Sequence, residues 1–362
     1  MPPLLSICIP TFNRAGYLRV MLQALLPQAA ASDGEVEVWV LDNASTDETS
    51  AVVGESMALG PLRCHRQPSN EGPIVNIAMG PGKLATGEYC WVLGDHNLMR
   101  PDALERVLAT LRTRPDLDVF YCNFRCAIYP DHWPQAAHGG WDGPFGYLGN
   151  PELPGSFVER WWELLTARSA VCTQSYAHIV RTRICREFWT GRVIPPPFTC
   201  GLSSYPQTWL LADTVFDRPT GCITEPVLTI YNGAQSWSAQ ATVRRVYLCG
   251  LPMLLRFYQR QGLPASRVRQ CRLFNIREVR TLVGNVLSSG QSAGHGGVIH
   301  WLWQAGIRNG WLWPAIWRGY MDAQASSVSR GLRRAAITLA RWRDYCFHHC
   351  RPARWWHQRR HG

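Results

Sequence analysis

Among 362 residues there is one lysine, no glycine-rich dinucleotide fingerprint and no apolar run long enough to cross a bilayer. Each absence removes a class. The longest apolar stretches, near Trp301 and Trp311, are cut by Arg308 and Arg318, which excludes a spanning helix and leaves in-plane association with a membrane surface. No basic, apolar, small-residue leader precedes Leu5, so a cytoplasmic protein is expected. Without the fingerprint ahead of the second strand, a nicotinamide-dinucleotide site is not expected. The thirteen cysteines are scattered and odd in number, which fits reduced thiols better than a disulfide framework. Cys346 and Cys350 frame His348 and His349, but the spacing is not a zinc-ligand pattern and no second half-site follows. The lone lysine, Lys83, can touch a phosphate, although an arginine-favouring coding bias explains its isolation more simply.

What is present is unevenly placed. Nearly half the residues are apolar, enough to bury a full core and to build two domains or one domain with an extension. Of the net charge of +11, residues 301–362 supply +9, eleven arginines against Asp322 and Asp344, and they hold eight of the seventeen tryptophans. Arginine mixed with tryptophan suits the headgroup layer of an anionic membrane, where indole sits at the interface and guanidinium meets phosphate. Nucleic acid is the rival partner for such a segment, but no nucleic-acid motif accompanies it and none is expected to bind.

Along the chain, residues 1–125 alternate between short apolar runs and helical spacing. Leu5 onward, Val36–Leu41, Tyr89–Leu93 and Val119–Asn123 read as buried strands, and Tyr17–Leu26 as a helix between the first two. The class is α/β with a mostly parallel sheet. Residues 127–156 read as a long loop, and from Phe157 the pattern turns helical. A short extended piece follows at Val227–Tyr231, then two amphipathic helices at Val243–Tyr258 and Ser266–Leu287. The expected organisation is a domain over 1–240, with halves 1–125 and 126–240, and a helical extension over 241–362 that associates with a membrane surface.

Three of the apolar runs break into polar tips, and ligands collect at the carboxyl ends of strands in open α/β sheets. The first tip, Pro10-Thr11-Phe12-Asn13-Arg14, offers hydroxyl, amide and guanidinium groups suited to a nucleobase, ribose or diphosphate, and equally the capping of a helix. The second places Asp42 at a strand end, where a carboxylate accepts hydrogen bonds from base or ribose. The third, Gly94-Asp95-His96-Asn97, is a cluster able to hold a divalent ion against a diphosphate, or an ordinary cap. Together they outline a nucleotide site.

In this order the tips resemble the inverting family 2 glycosyltransferases of the GT-A fold, in particular the abequosyltransferase-like branch that builds bacterial surface glycans. The resemblance rests on Ser6–Arg14, Val40–Asp47, Asn70–Asn76, Ala85–Asp95, Ser204–Gln207 and Asn232–Trp237. It implies a nucleoside diphosphate sugar as donor, with Pro10, Thr11, Asn13 and Arg14 near base and ribose and Asp42 reading the nucleoside. Asn70, Gly72 and Asn76 then line the diphosphate and donor sugar. Asp95 matches the first acid of the family's Asp-x-Asp element, so Asp95, His96 and Asn97 are the expected ligands of Mg²⁺ or Mn²⁺, held more weakly because one carboxylate stands where two or three are usual. The implied acceptor is a glycan, polyprenyl-linked, at the inner face of the plasma membrane. The family's acceptor-side acid has no counterpart in Ser203–Gln207, which leaves Asp213, Asp142 and His178 as candidate bases. The alternative is a relative that binds sugar nucleotide or glycan without turning it over.

Overall fold

The computed structural model describes residues 2–128, 145–168, 174–197, 199–232, 246–288 and 310–318. Its first half alternates β1 (Leu5–Thr11), α1 (Ala15–Ala30), β2 (Val36–Asp42), α2 (Thr49–Ser56), β3 (Leu62–Arg66), α3 (Pro73–Met79) and β4 (Tyr89–Val92). Leu5, Ile7, Ile9, Val38 and Val40 are buried along β1 and β2, and the strands read as nearly continuous apolar runs because both faces are covered. Each such side chain withdrawn from water contributes roughly 1.5–3 kcal/mol. α1 presents Leu18, Met21, Leu22 and Leu25 to the core at helical spacing.

The second half contains β5 (Asn97–Met99), α4 (Ala103–Thr113), β6 (Val119–Ile128), β7 (Tyr147–Leu148), β8 (Phe157–Val158), β9 (His178–Arg181), α5 (Thr182–Trp189), α6 (Gly201–Ser204), α7 (Pro206–Thr214) and β10 (Thr220–Asn232). Two helices follow, α8 (Leu251–Arg260) and α9 (Ala265–Ser288). A wider helical turn at Val246–Gly250 leads directly into α8, and the expected start at Val243 lies outside the described residues.

Among the described residues all strands join one sheet in the order β3-β2-β1-β4-β9-β6-β10-β5, with β7 on β6 and β8 on β10. β3, β2, β1 and β4 are parallel to one another, and so are β6 and β10. β9 runs antiparallel between β4 and β6, and β5 antiparallel to β10. The sheet is therefore mixed, its longer ladders parallel as expected and its short ones antiparallel. The cause lies after Phe157, where the expected helix is a single 3-10 turn at Trp161–Leu164, followed by the strand whose Ile179 and Val180 are buried between its neighbours. β10 is also longer than the expected Val227–Tyr231. Its register on β6 shifts between Ile223 and Leu228, around Pro226, which cannot donate to the ladder. Gly221 lets the two strands' side chains close up, since a Cβ there would lie 2.5 Å from the Phe120 ring.

This topology brings the carboxyl ends of β1, β2 and β4 to one edge. The amino-terminal half of those strands is braced by Glu37, a buried carboxylate that accepts from Ser6 Oγ at 2.6 Å and from the Thr86 N–H at 2.7 Å. Two compact units divide the chain, residues 1–274 and 275–362. The described part of the second is the end of α9 and residues 310–318, which open with a 3-10 turn at Gly310–Leu312. No helix among the described residues is long and apolar enough to cross a membrane.

Candidate functional site

Thr11 closes β1 directly beside Asp42 at the end of β2, the two being partners in parallel register. Past them both loops carry a non-glycine residue in the left-handed region, Asn13 at φ 53° and Ala44 at φ 62°. For alanine this costs about 1–2 kcal/mol and persists where neighbouring contacts hold it. Here the Asn13 N–H donates to Ser45 Oγ at 2.9 Å, and the Thr46 N–H donates to Asn13 Oδ1 at 2.7 Å. The Asn43 N–H reaches the Thr11 carbonyl at 3.0 Å, and the Ala15 N–H reaches Asp47 Oδ2 at 3.0 Å. The first two loops are stitched into one surface.

Asp42 is buried, with Oδ1 accepting the Ser45 N–H at 2.9 Å and Oδ2 accepting Arg66 Nη1. Arg66, at the end of β3, also donates to the Ser45 carbonyl at 2.7 Å and to Ser50 Oγ at 3.1 Å. Asn70 Oδ1 accepts from Asn43 Nδ2 at 2.8 Å and from the Gly72 N–H at 3.0 Å. Gly72 stands at φ 85°, where a side chain would strain the turn into α3. Asn76, expected beside the diphosphate, is buried and donates from Nδ2 to the Leu41 carbonyl at 2.7 Å. That bond fastens α3 to β2.

The third loop turns through Gly94, Asp95 and His96 into β5. Asp95 is 4% exposed and accepts from Thr11 Oγ1 at 2.9 Å. Arg14 Nε donates to both of its oxygens, at 2.9 and 3.0 Å, and His96 Nδ1 lies 3.1 Å from Oδ1. Burial alone would raise the Asp95 pKa, but His96, Arg14 and Thr11 outweigh it and hold the carboxyl below its ordinary range. The Arg14 guanidinium also lies over the Tyr17 ring, 4.1 Å from its centroid. Asn97 is fully buried, and its Oδ1 accepts the Gly94 N–H at 2.7 Å across the turn.

These contacts bear on the expectation that Asp95, His96 and Asn97 hold Mg²⁺ or Mn²⁺. Such an ion needs several donors converging on one point with their lone pairs unengaged. Both Asp95 oxygens are taken by a guanidinium, a hydroxyl and an imidazole, and the Asn97 oxygen is taken by backbone. Among the described residues, no three His, Cys, Asp or Glu side chains converge as a metal-binding group. As arranged, the turn does not fit a divalent ion, and Asp95 is the node that ties the third loop to the first.

The candidate bases fall elsewhere. His178, on β9, is buried, and its Nε2 accepts the Trp161 indole N–H at 3.1 Å. Burial pushes its pKa down to about 3, so it is a neutral core histidine rather than a group that meets an acceptor. Asp213, on α7, accepts from Arg192 Nη2 at 3.0 Å, both side chains being about one-third exposed. Asp142 lies outside the described residues. Pro10 pairs with Leu41 within the sheet, directly before Thr11. Arg66, a functional residue absent from the expectations above, carries only a slight signal in the sequence: an arginine closing a polar strand, next in order after an acid-tipped one.

Residues 6–170 match the family model described as Glycosyl transferase family 2. Abequosyltransferase RfbV of Salmonella typhimurium is 25% identical over 256 residues, 68% of this chain and 72% of that protein. Further curated glycosyltransferases are matched over 14% to 46% of their own length. Among solved structures, S. aureus TarS 1-349 in complex with UDP is 15% identical with a TM-score of 0.49, covering 89% of this chain and 91% of that one. Mannosyltransferase PcManGT from Pyrobaculum calidifontis, in complex with GDP-Man and Mn2+, is 12% identical with a TM-score of 0.49, covering 91% of this chain and 89% of that one.

Proposed function

We propose that residues 6–170, which match the model of glycosyl transferase family 2, carry at the ends of β1, β2 and β4 a crevice that binds a nucleoside diphosphate sugar, whose sugar is transferred, with inversion, to a glycan acceptor. One observation carries the reading. Thr11 is the register partner of Asp42 and the hydrogen-bond donor to Asp95, so polar groups from three separate strand ends meet at one sheet edge. In this reading Asp42 takes hydrogen bonds from the nucleoside beside Pro10, Thr11 and Asn13, while Asn70 and Gly72 face the donor sugar.

The acceptor hydroxyl attacks the anomeric carbon from the face opposite the diphosphate. The anomeric C–O bond breaks with its electron pair staying on the diphosphate, and the hydroxyl proton passes to a carboxylate base. Asp213 and Asp142 are the proposed bases, Asp213 after release from Arg192.

The proposed acceptor is a polyprenyl-linked glycan of bacterial surface polysaccharide synthesis, met at the inner face of the plasma membrane. Support comes from the similarity to an abequosyltransferase over most of that protein's length. The arginine and tryptophan content of residues 301–362 supports it as well. Apart from 310–318, that segment lies outside the described residues. The domain of 1–240 would carry the reaction, and the extension of 241–362 would keep it beside its lipid-bound acceptor.

A catalytically silent sugar-nucleotide binder is the second reading, favoured by the single carboxylate of the third loop and the ion pair that occupies Asp213. Titrating a panel of nucleoside diphosphate sugars by calorimetry, then following nucleotide release from the one that binds, separates the two. Release shows an enzyme, binding without release shows the silent relative, and no binding at all overturns both.

A further inference from the structure

If the crevice is a nucleoside diphosphate site, as proposed above, the anionic diphosphate needs positive charge beside it. A divalent ion needs carboxylate oxygens free to converge on it. The two buried carboxylates of this crevice are already paired with guanidinium groups, Asp95 with Arg14 and Asp42 with Arg66, and Asp95 could accept an ion only by giving up Arg14. We propose that this site holds its nucleoside diphosphate without a divalent cation, the diphosphate charge being met by Arg14 and His96.

Both groups are set in place by the fold. Arg14 Nε bridges the two Asp95 oxygens while the guanidinium rests on Tyr17, which fixes the plane of a side chain that otherwise loses much freedom on ordering. Its side chain is 12% exposed, so the charge is largely withdrawn from water beside Asp95. His96 turns Nδ1 to Asp95 Oδ1, which directs Nε2, on the far side of the ring, away from the carboxylate. The ring packs against Gly94, where a Cβ would come within 3.1 Å of His96 Cε1. Asp95 is then a positioning residue for two cationic or donor groups, and its single carboxylate is the counterpart of Arg14 instead of a remnant of a metal cluster.

The test titrates the full chain with UDP, GDP, CDP and dTDP by calorimetry, once in EDTA and once in MnCl₂. For the nucleotide that binds, the Kd is expected to agree within about twofold between the two conditions, and Arg14→Gln or His96→Gln to weaken it about tenfold or more in EDTA. Arg14→Lys, which keeps the charge, serves as the folding control and should fall between wild type and Arg14→Gln. Affinity gained more than about tenfold with Mn²⁺, together with loss of the free Mn²⁺ paramagnetic resonance signal when protein and nucleotide are mixed, would overturn the proposal. Binding that is metal-independent but indifferent to both glutamine variants would overturn the assignment to Arg14 and His96. Failure of every nucleotide in both conditions would instead strike the glycosyltransferase reading itself.

Discussion

Arg14 Nε lies 2.9 Å from Asp95 Oδ1 and 3.0 Å from Oδ2, so the residue preceding the first helix and the acid of the third loop form one nearly buried charge pair. Removing one partner of such a pair leaves the other uncompensated, at a cost of about 3–5 kcal/mol. Asp95→Ala is therefore expected to lower stability in urea unfolding by roughly 3 kcal/mol, and the double variant Arg14→Ala/Asp95→Ala by clearly less than the sum of the two singles. Additive losses would show that the pair does not couple.

Asp42 and Arg66 set the second contact. Asp42→Ala should weaken nucleotide binding tenfold or more, on the order of 1.5 kcal/mol, because donors on base or ribose lose their acceptor. Arg66→Ala should weaken it by a smaller factor, since Asp42 Oδ2 loses the group that orients it. Calorimetry on folded variants checks both, and an unchanged affinity for Asp42→Ala would remove that residue from the site.

The strands that carry these residues were legible because β1, β2 and β4 are covered on both faces and so appear as apolar runs with polar ends. β3 was not, since Leu62-Arg63-Cys64-His65-Arg66 is a polar edge strand with no pattern of burial, and Arg66 was lost with it. β9 was hidden by its length: four residues between segments rich in tryptophan look like part of a helix. The first half of β10 was masked by Gly221 and Pro226, which weaken a strand reading although one serves close packing and the other a bulge. Among site residues, the grouping of Thr11, Asp42 and Asp95 followed from strand order alone. The pairing of Arg14 with Asp95 joins two loops 81 positions apart, and only the tertiary fold shows it.

His178 predicts a pH dependence. Its pKa lies near 6.5 in the unfolded chain and falls to about 3 in the fold, so between those values the unfolded state takes up a proton that the folded state refuses. Stability should fall as pH drops below 6.5, by about 1.4 kcal/mol per unit, or roughly 2 kcal/mol by about pH 5. Asp95, whose folded pKa is depressed, acts lower: its contribution is complete above its ordinary value of 3.8 and is lost as pH falls through the folded value. Urea unfolding of His178→Gln between pH 7 and about pH 5 should show a flatter slope than wild type. Equal slopes would mean that His178 is protonated in the fold.

Membrane attachment through residues 295–362 should appear as salt-sensitive sedimentation of the full chain with anionic liposomes, at about 1 kcal/mol per basic residue near the surface. Truncation after Gly294 should abolish it while leaving nucleotide binding intact. Equal sedimentation of both forms would contradict a membrane role for this segment, and tight binding of the full chain to RNA with none to lipid would assign it to nucleic acid.

Transfer from a sugar nucleotide is tested most directly by incubating the full chain with each member of a panel of UDP-, GDP-, CDP- and dTDP-sugars together with polyprenyl-linked glycans, and quantifying the nucleoside diphosphate released. The expected result is release from one donor nucleotide class that is coupled to a longer lipid-linked glycan, persists in EDTA and is lost in Asp42→Ala. No release from any donor, with no nucleotide bound, would contradict the assignment of the β1, β2 and β4 crevice as a glycosyltransferase donor site.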